Sequence, residues 1–151
     1  MIIWIDADAA PRAIKEMVFR AAKRTNTQVN LVANSYMTIP DIPLFTFTKV
    51  DSGPDEADHH IENNMAGGDI VVTADIPLAA KAVARGGYVI NPMGKEHTKD
   101  NVGEQLATRN LMTHLRSAGM ETGGPPALSK KNIQAFANIL DRLLTRLLKG
   151  A

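Results

Sequence analysis

Apolar residues along the chain gather in short runs of strand length, separated by stretches with helical spacing. The runs are Ile2–Asp6, Val29–Ala33, Phe45–Val50, Ile70–Thr73 and Tyr88–Ile90. The first and fourth are almost unbroken, the pattern of strands covered on both faces. Pro11 suits a first helical turn, where its missing N–H needs no partner. Beyond it Ile14, Met17, Val18, Ala21 and Ala22 make an apolar stripe to about Lys23. A second helix is predicted from near Pro54, capped by Asp51 or Ser52, with Ala57, Ile61 and Met65 inward and Gly67-Gly68 as its stop. A third runs from about Ile76 to Arg85 behind Asp75 as cap. A fourth covers about Asn101 to Ser117, with Val102, Leu106, Leu111, Met112 and Leu115 as its stripe. The last follows the cap Ser129, at about 129–149, with Ile133, Phe136, Leu140, Leu143, Leu144 and Leu147 along one side.

This alternation predicts βαβ units with right-handed crossovers, hence an α/β fold with a mainly parallel, five-stranded sheet flanked by helices. A length of 151 residues suits one domain over 1–151. The stretch Glu121-Thr-Gly-Gly-Pro-Pro126 reads as a Gly/Pro linker ahead of the final helix. No apolar run approaches the roughly 20 residues of a membrane helix. The start lacks the basic region and cleavage site of a signal peptide. The expectation is a cytoplasmic protein with no membrane partner. Cysteine is absent, which excludes disulfides, thiolate metal sites and cysteine nucleophiles. The leucines near the C-terminus leave a homodimer open, although packing on the sheet is their better use.

Charge adds a hint of chemistry. Residues 1–75 carry six Lys/Arg against eleven Asp/Glu, a net −5, and residues 76–151 carry eleven against five, a net +6. An acidic half able to hold metal beside a basic half able to hold phosphate suits a nucleic-acid or nucleotide partner. Uneven charge is equally common on inert domains.

In an open parallel sheet, ligands bind beyond the carboxyl ends of the strands. Asp6 and Asp8 follow the first run, Asn34 and Ser35 the second, Thr73 and Asp75 the fourth. If the first and fourth strands are neighbours, three carboxylates converge. Such a cluster needs protons or a cation, and hard oxygen ligands suit Mg²⁺ or Mn²⁺. Each residue has a plainer use. Asp75 caps a helix, Asp8 favours a helix N-terminus, and only Asp6, ending a buried strand, resists such a reading. Asp55, Asp58 and Glu62 share one helix face. A solvated face explains Asp55 and Glu62, whereas Asp58 is balanced between solvent and the sheet's end. His59-His60 diverge on a helix and read as surface histidines. Arg109, Arg116, Lys130 and Lys131 are candidate phosphate contacts, and Thr122-Gly-Gly a candidate anion turn. Aromatics make up only 5% of the chain, which gives no base-stacking platform.

The segments Asp6-Ala-Asp-Ala-Ala-Pro11, Gly53-Pro-Asp-Glu-Ala-Asp58, Gly68-Asp-Ile-Val-Val-Thr-Ala-Asp-Ile-Pro-Leu-Ala79, Asn91-Pro92 and Thr122-Gly-Gly-Pro-Pro126 together resemble the YaiI/YqxD family of uncharacterised bacterial proteins. That family is similar to PIN-type nuclease domains, which implies a three-layer PIN-like fold and an acidic Mg²⁺/Mn²⁺ site for cutting RNA. By this resemblance Asp6, Asp58 and Asp75 match the catalytic acids and Asp8 is an added metal ligand. PIN nucleases often carry one more acid shortly after the one matching Asp75, where this chain has Ile76-Pro77. The leading expectation is a metal-dependent phosphodiesterase acting on RNA. Asp6, Asp8, Asp58 and Asp75 would bind metal, and Asn34, Ser35, Thr73, Arg109 and Lys130 substrate. The alternatives are a non-catalytic RNA- or nucleotide-binding module and a small-molecule phosphatase.

Overall fold

A computed structural model of the chain describes residues 1–53, 55–119 and 128–149. It is α/β. Strands β1 (Ile2–Asp6), β2 (Gln28–Ala33), β3 (Phe45–Lys49), β4 (Ile70–Val72), β5 (Tyr88–Asn91) and β6 (Lys95–His97) form one sheet in the order β3-β2-β1-β4-β5-β6. β1 to β5 run parallel, and β6 pairs antiparallel with β5. The sheet therefore has six strands, not the five expected. Lys95-Glu-His97 is short and charged, so it lacks the apolar alternation that marks a strand. What makes it a strand is the turn at Gly94, which folds it back onto β5.

Five helices complete the fold: α1 (Arg12–Thr25), α2 (Glu56–Asn64), α3 (Ile76–Ala84), α4 (Val102–Ser117) and α5 (Lys130–Lys149). Alternation along β1 divides the core. Ile3 and Ile5 pack with Ile14, Val18, Phe136 and Leu140 of α1 and α5. Trp4 packs with Ile61, Leu78 and Ala82 of α2 and α3 on the opposite face. Successive side chains of a strand point to opposite faces, so Asp6 shares the face of Trp4 and of α2 and α3.

Most helix ends follow the sequence signals. At α5, Ser129 Oγ accepts from Asn132 N at 3.2 Å and Asn132 Oδ1 accepts from Ser129 N at 3.1 Å, a reciprocal cap. α2 departs from expectation, because it starts at Glu56 behind Asp55 rather than behind Asp51 or Ser52. Asp55 has φ 67°, outside helical geometry, so the helix begins only after it. On α4 the expected apolar stripe is not buried; Leu111 is 57% exposed. Leu143 and Leu144 of α5 are fully buried against the sheet. The expected linker at 121–126, including Thr122-Gly-Gly, lies outside the described residues. Among the described residues no helix is long and apolar enough to cross a membrane.

Candidate functional site

The chain builds β1, β2 and β3 outward in one direction, then places β4 on the other side of β1. This reversal makes β1 and β4 the topological switch point, whose carboxyl-end crevice is where open α/β sheets bind ligands. Ile5 pairs with Val72, so Asp6 and Thr73 leave the sheet side by side. Thr73 is completely buried, and its hydroxyl does two jobs. It donates to Asp6 Oδ2 at 3.0 Å and accepts from Asp75 N at 3.0 Å. One side chain thereby ties the end of β1 to the loop that enters α3.

Asp75 caps α3, its Oδ1 accepting from Leu78 N at 2.9 Å. The cap occupies one oxygen, so the carboxylate can cap and ligate at once. Asp58, half-buried in the first turn of α2, and the exposed Asp55 complete the group. Asp55, Asp58 and Asp75 each offer an oxygen, and these atoms all lie within 4.8 Å of one another. Asp6 and Asp8 flank them in a cleft of about 170 Å³, which Asn34 and Gly53 also line. Asp8 is exposed, and its Oδ2 accepts from Asn34 N at 2.8 Å, fastening the loop after β1 to that after β2.

Two of the carboxylates, Asp6 and Asp58, hold their protons more tightly than a free carboxyl. Burial pushes the Asp6 pKa up against the opposing Thr73 hydrogen bond, with Asp75 and Asp8 adding repulsion. Asp58 is pushed up to about 7 by burial first, then by sharing a hydrogen bond with Asp75, then by the charges of Asp75, Asp6 and Asp55. Among the described residues no Lys or Arg salt-bridges to any of these five acids. The nearby Lys81 pairs instead with Glu62, at 3.4 Å. Unneutralised carboxylates within a few ångströms are a donor set suited to a hard divalent cation.

The other sequence candidates scatter. Arg109 of α4 reaches the cluster, lining a small cleft with Asp55, Asp58 and Asp75. Asn34 contributes its backbone N–H. Thr73 is internal scaffolding, sealed from solvent. Ser35 and Lys130 are exposed and line neither cleft. His60 packs edge-on against Trp4, with ring centroids 6.2 Å apart, and His59 is exposed. Two acids carry roles that the sequence reading did not give them. Asp55 joins the cluster. Asp69, 5% exposed, accepts from Ile2 N, Trp4 Nε1 and Ala66 N at 2.9–3.0 Å and staples the start of β1 to the start of β4. The signal for Asp69 was its place immediately before the apolar run of β4, where an acid must find donors or remain in water.

Fold and site together define an open, mainly parallel α/β protein with a carboxylate cluster at its switch point. The chain belongs to the family described as "Uncharacterized BCR, YaiI/YqxD family", whose profile matches residues 4–146. It is 50% identical to a "UPF0178 protein" of Syntrophotalea carbinolica, over 97% of this chain and 99% of that one. It is 48% identical to a UPF0178 protein of Thioalkalivibrio sulfidiphilus, again over 97% of this chain and 99% of that one. A UPF0178 protein of Legionella pneumophila strain Philadelphia 1 is 50% identical over the same shares. No solved structure matches the chain.

Proposed function

We propose that this protein is a metal-dependent phosphodiesterase acting on RNA, with a PIN-like arrangement of acids. The observation that carries the reading is the convergence of Asp55, Asp58 and Asp75, with Asp6 behind them, at the switch point and, among the described residues, without a salt bridge to any of them. Asp55, Asp58 and Asp75 would hold Mg²⁺ or Mn²⁺, with Asp6 and Asp8 on the flank. When bound, such a cation supplies Lewis acidity toward a phosphoryl oxygen and lowers the pKa of water.

The chain's own residues supply the rest. Asp58, pushed up to about 7 without a cation, would give up its proton on taking one, so metal affinity should rise with pH through that range. Thr73 fixes Asp6 and the backbone of Asp75 in one frame. Arg109 stands at the edge of the cluster, where a phosphate would meet its guanidinium.

The test is incubation of the purified protein with RNA, DNA and phosphomonoesters, with and without Mn²⁺, beside Asp6→Asn and Asp58→Asn. Mn²⁺-dependent RNA cleavage is expected, falling in both variants by more than the roughly 10–100-fold typical of groups that merely support a metal ligand. Retention of cleavage in both variants would remove the acids from the mechanism. Salt-sensitive RNA binding without cleavage would identify a binding module. Hydrolysis of monoesters alone would identify a phosphatase.

A further inference from the structure

A larger cleft, of about 520 Å³, lies between α4 and the β5–β6 hairpin, and of its lining only Arg109 enters the catalytic reading. Its size falls within the roughly 300–1,000 Å³ of small-molecule sites. α4 lines it with Gln105, Thr108, Arg109, Met112 and Arg116, the i, i+3, i+4, i+7, i+11 spacing of one helix face. Lys95 and Ile76 contribute from the other side. Among the described residues, three cations, Lys95, Arg109 and Arg116, and one carboxylate, Glu104, line the cleft, a positive balance.

The cleft also contains an unmet hydrogen-bonding demand. His97 is 4% exposed, and its Nδ1 pairs with Gln105 Oε1. Among the described residues, that pairing leaves His97 Nε2 and Gln105 Nε2 buried without a partner. A neutral imidazole paired through Nδ1–H leaves Nε2 as an acceptor, and the Gln105 amide N–H remains as a donor. If the amide is turned over, the roles exchange, and one donor and one acceptor still remain. Buried polar atoms are rarely left in this state, because each costs the desolvation of its group.

We propose that this cleft binds one nucleoside monophosphate, with its phosphate on Arg109 and Arg116, its base against Ile76 and Met112, and the base edge read by His97 and Gln105. A nucleobase carries both donors and acceptors on its edges, the two kinds of group that His97 and Gln105 have to offer. His97 and Gln105 both line the cleft. The helical rise sets Arg109 about 6 Å and Arg116 about 16 Å beyond Gln105 along α4, bracketing the span from base to phosphate in one nucleotide. Burial lowers the pKa of His97 against the opposing Gln105 hydrogen bond, with Lys95 adding to the lowering, which keeps the imidazole neutral for this role. The site needs neither metal nor turnover. Arg109 lines both this cleft and the acidic one, so a nucleotide here would sit with its phosphate toward the acids.

The experiment is calorimetric titration of the full chain in EDTA with the four nucleoside 5′-monophosphates, ribose 5-phosphate and inorganic phosphate. At least one nucleotide should bind about tenfold or more tightly than either simple phosphate. Arg109→Gln combined with Arg116→Gln should weaken that binding about tenfold or more, since each removes a charge-assisted hydrogen bond. Both arginines are exposed, so the double variant should melt like the parent. Gln105→Leu should narrow the differences among the four bases. The proposal is overturned if inorganic phosphate or ribose 5-phosphate binds as tightly as every nucleotide, if the double variant binds undiminished, or if no nucleotide binds. Because no cleavage is read, loss of this proposal with Mn²⁺-dependent cleavage intact leaves the catalytic reading standing, and the reverse holds equally.

Discussion

Asp58 holds its proton up to about pH 7 because burial and three acidic neighbours oppose its charge. The unfolded chain would release that proton near pH 3.9. Between those values the folded state binds more protons than the unfolded one, so stability falls as pH rises from about 4 to about 7. In EDTA, the melting temperature of the parent should therefore drop relative to that of Asp58→Asn as pH rises from 5 to 8. Parallel curves would refute the coupling. Mn²⁺ at pH 8 should restore more stability to the parent than to the variant, as expected for a ligand that binds only the folded state. Thr73 makes a second residue-scale prediction. Thr73→Val strands a buried carboxylate and an N–H, at about 1–3 kcal/mol by denaturant titration. Thr73→Ser keeps the hydroxyl and should recover most of that loss. Asp6 was legible in the sequence because a carboxylate ending a buried strand has few other uses. Asp55 was not legible, since its membership depends on a φ of 67° that no side-chain periodicity records.

At the scale of elements, α3 shows how one acid can serve two ends. The sequence marked Asp75 both as a helix cap and as a metal candidate, and the structure realises the cap. Asparagine caps a helix about as well as aspartate, whereas alanine costs about 1 kcal/mol. Asp75→Asn should therefore melt within a few tenths of a kcal/mol of the parent while losing Mn²⁺-dependent cleavage, and Asp75→Ala should lose both. Equal activity in Asp75→Asn would leave the residue only its cap. α4 invites a different measurement. It buries no residue fully and leaves Leu111 and Met112 exposed. Its amides should exchange with solvent well before those of β1 and β4, by hydrogen exchange read with mass spectrometry. Strands β1 to β5 were readable because each is an apolar run between turn signals. β6 was not, because pairing along the edge of β5 makes it a strand, and no local pattern of its own does so.

The whole molecule depends on close approach between layers. Gly94, at φ 89°, turns β5 into β6, and a Cβ there would lie 2.7 Å from Asn132 O and 2.7 Å from Ala135 Cβ on α5. Gly94→Ala should cost more than about 1 kcal/mol from the backbone conformation alone, with the displacement of α5 added to that. Denaturant midpoints would measure it. The sheet order carries a further consequence, for how the protein is made. β1 is synthesised first yet lies between β2 and β4. While the ribosome extends the chain toward residue 72, the edge of β1 that will receive β4 stays open, with Ile3, Trp4 and Ile5 beside it. An open apolar edge is a template for pairing with other chains. Slow translation between residues 33 and 70 should therefore lower the soluble yield, and early delivery of β4 should raise it.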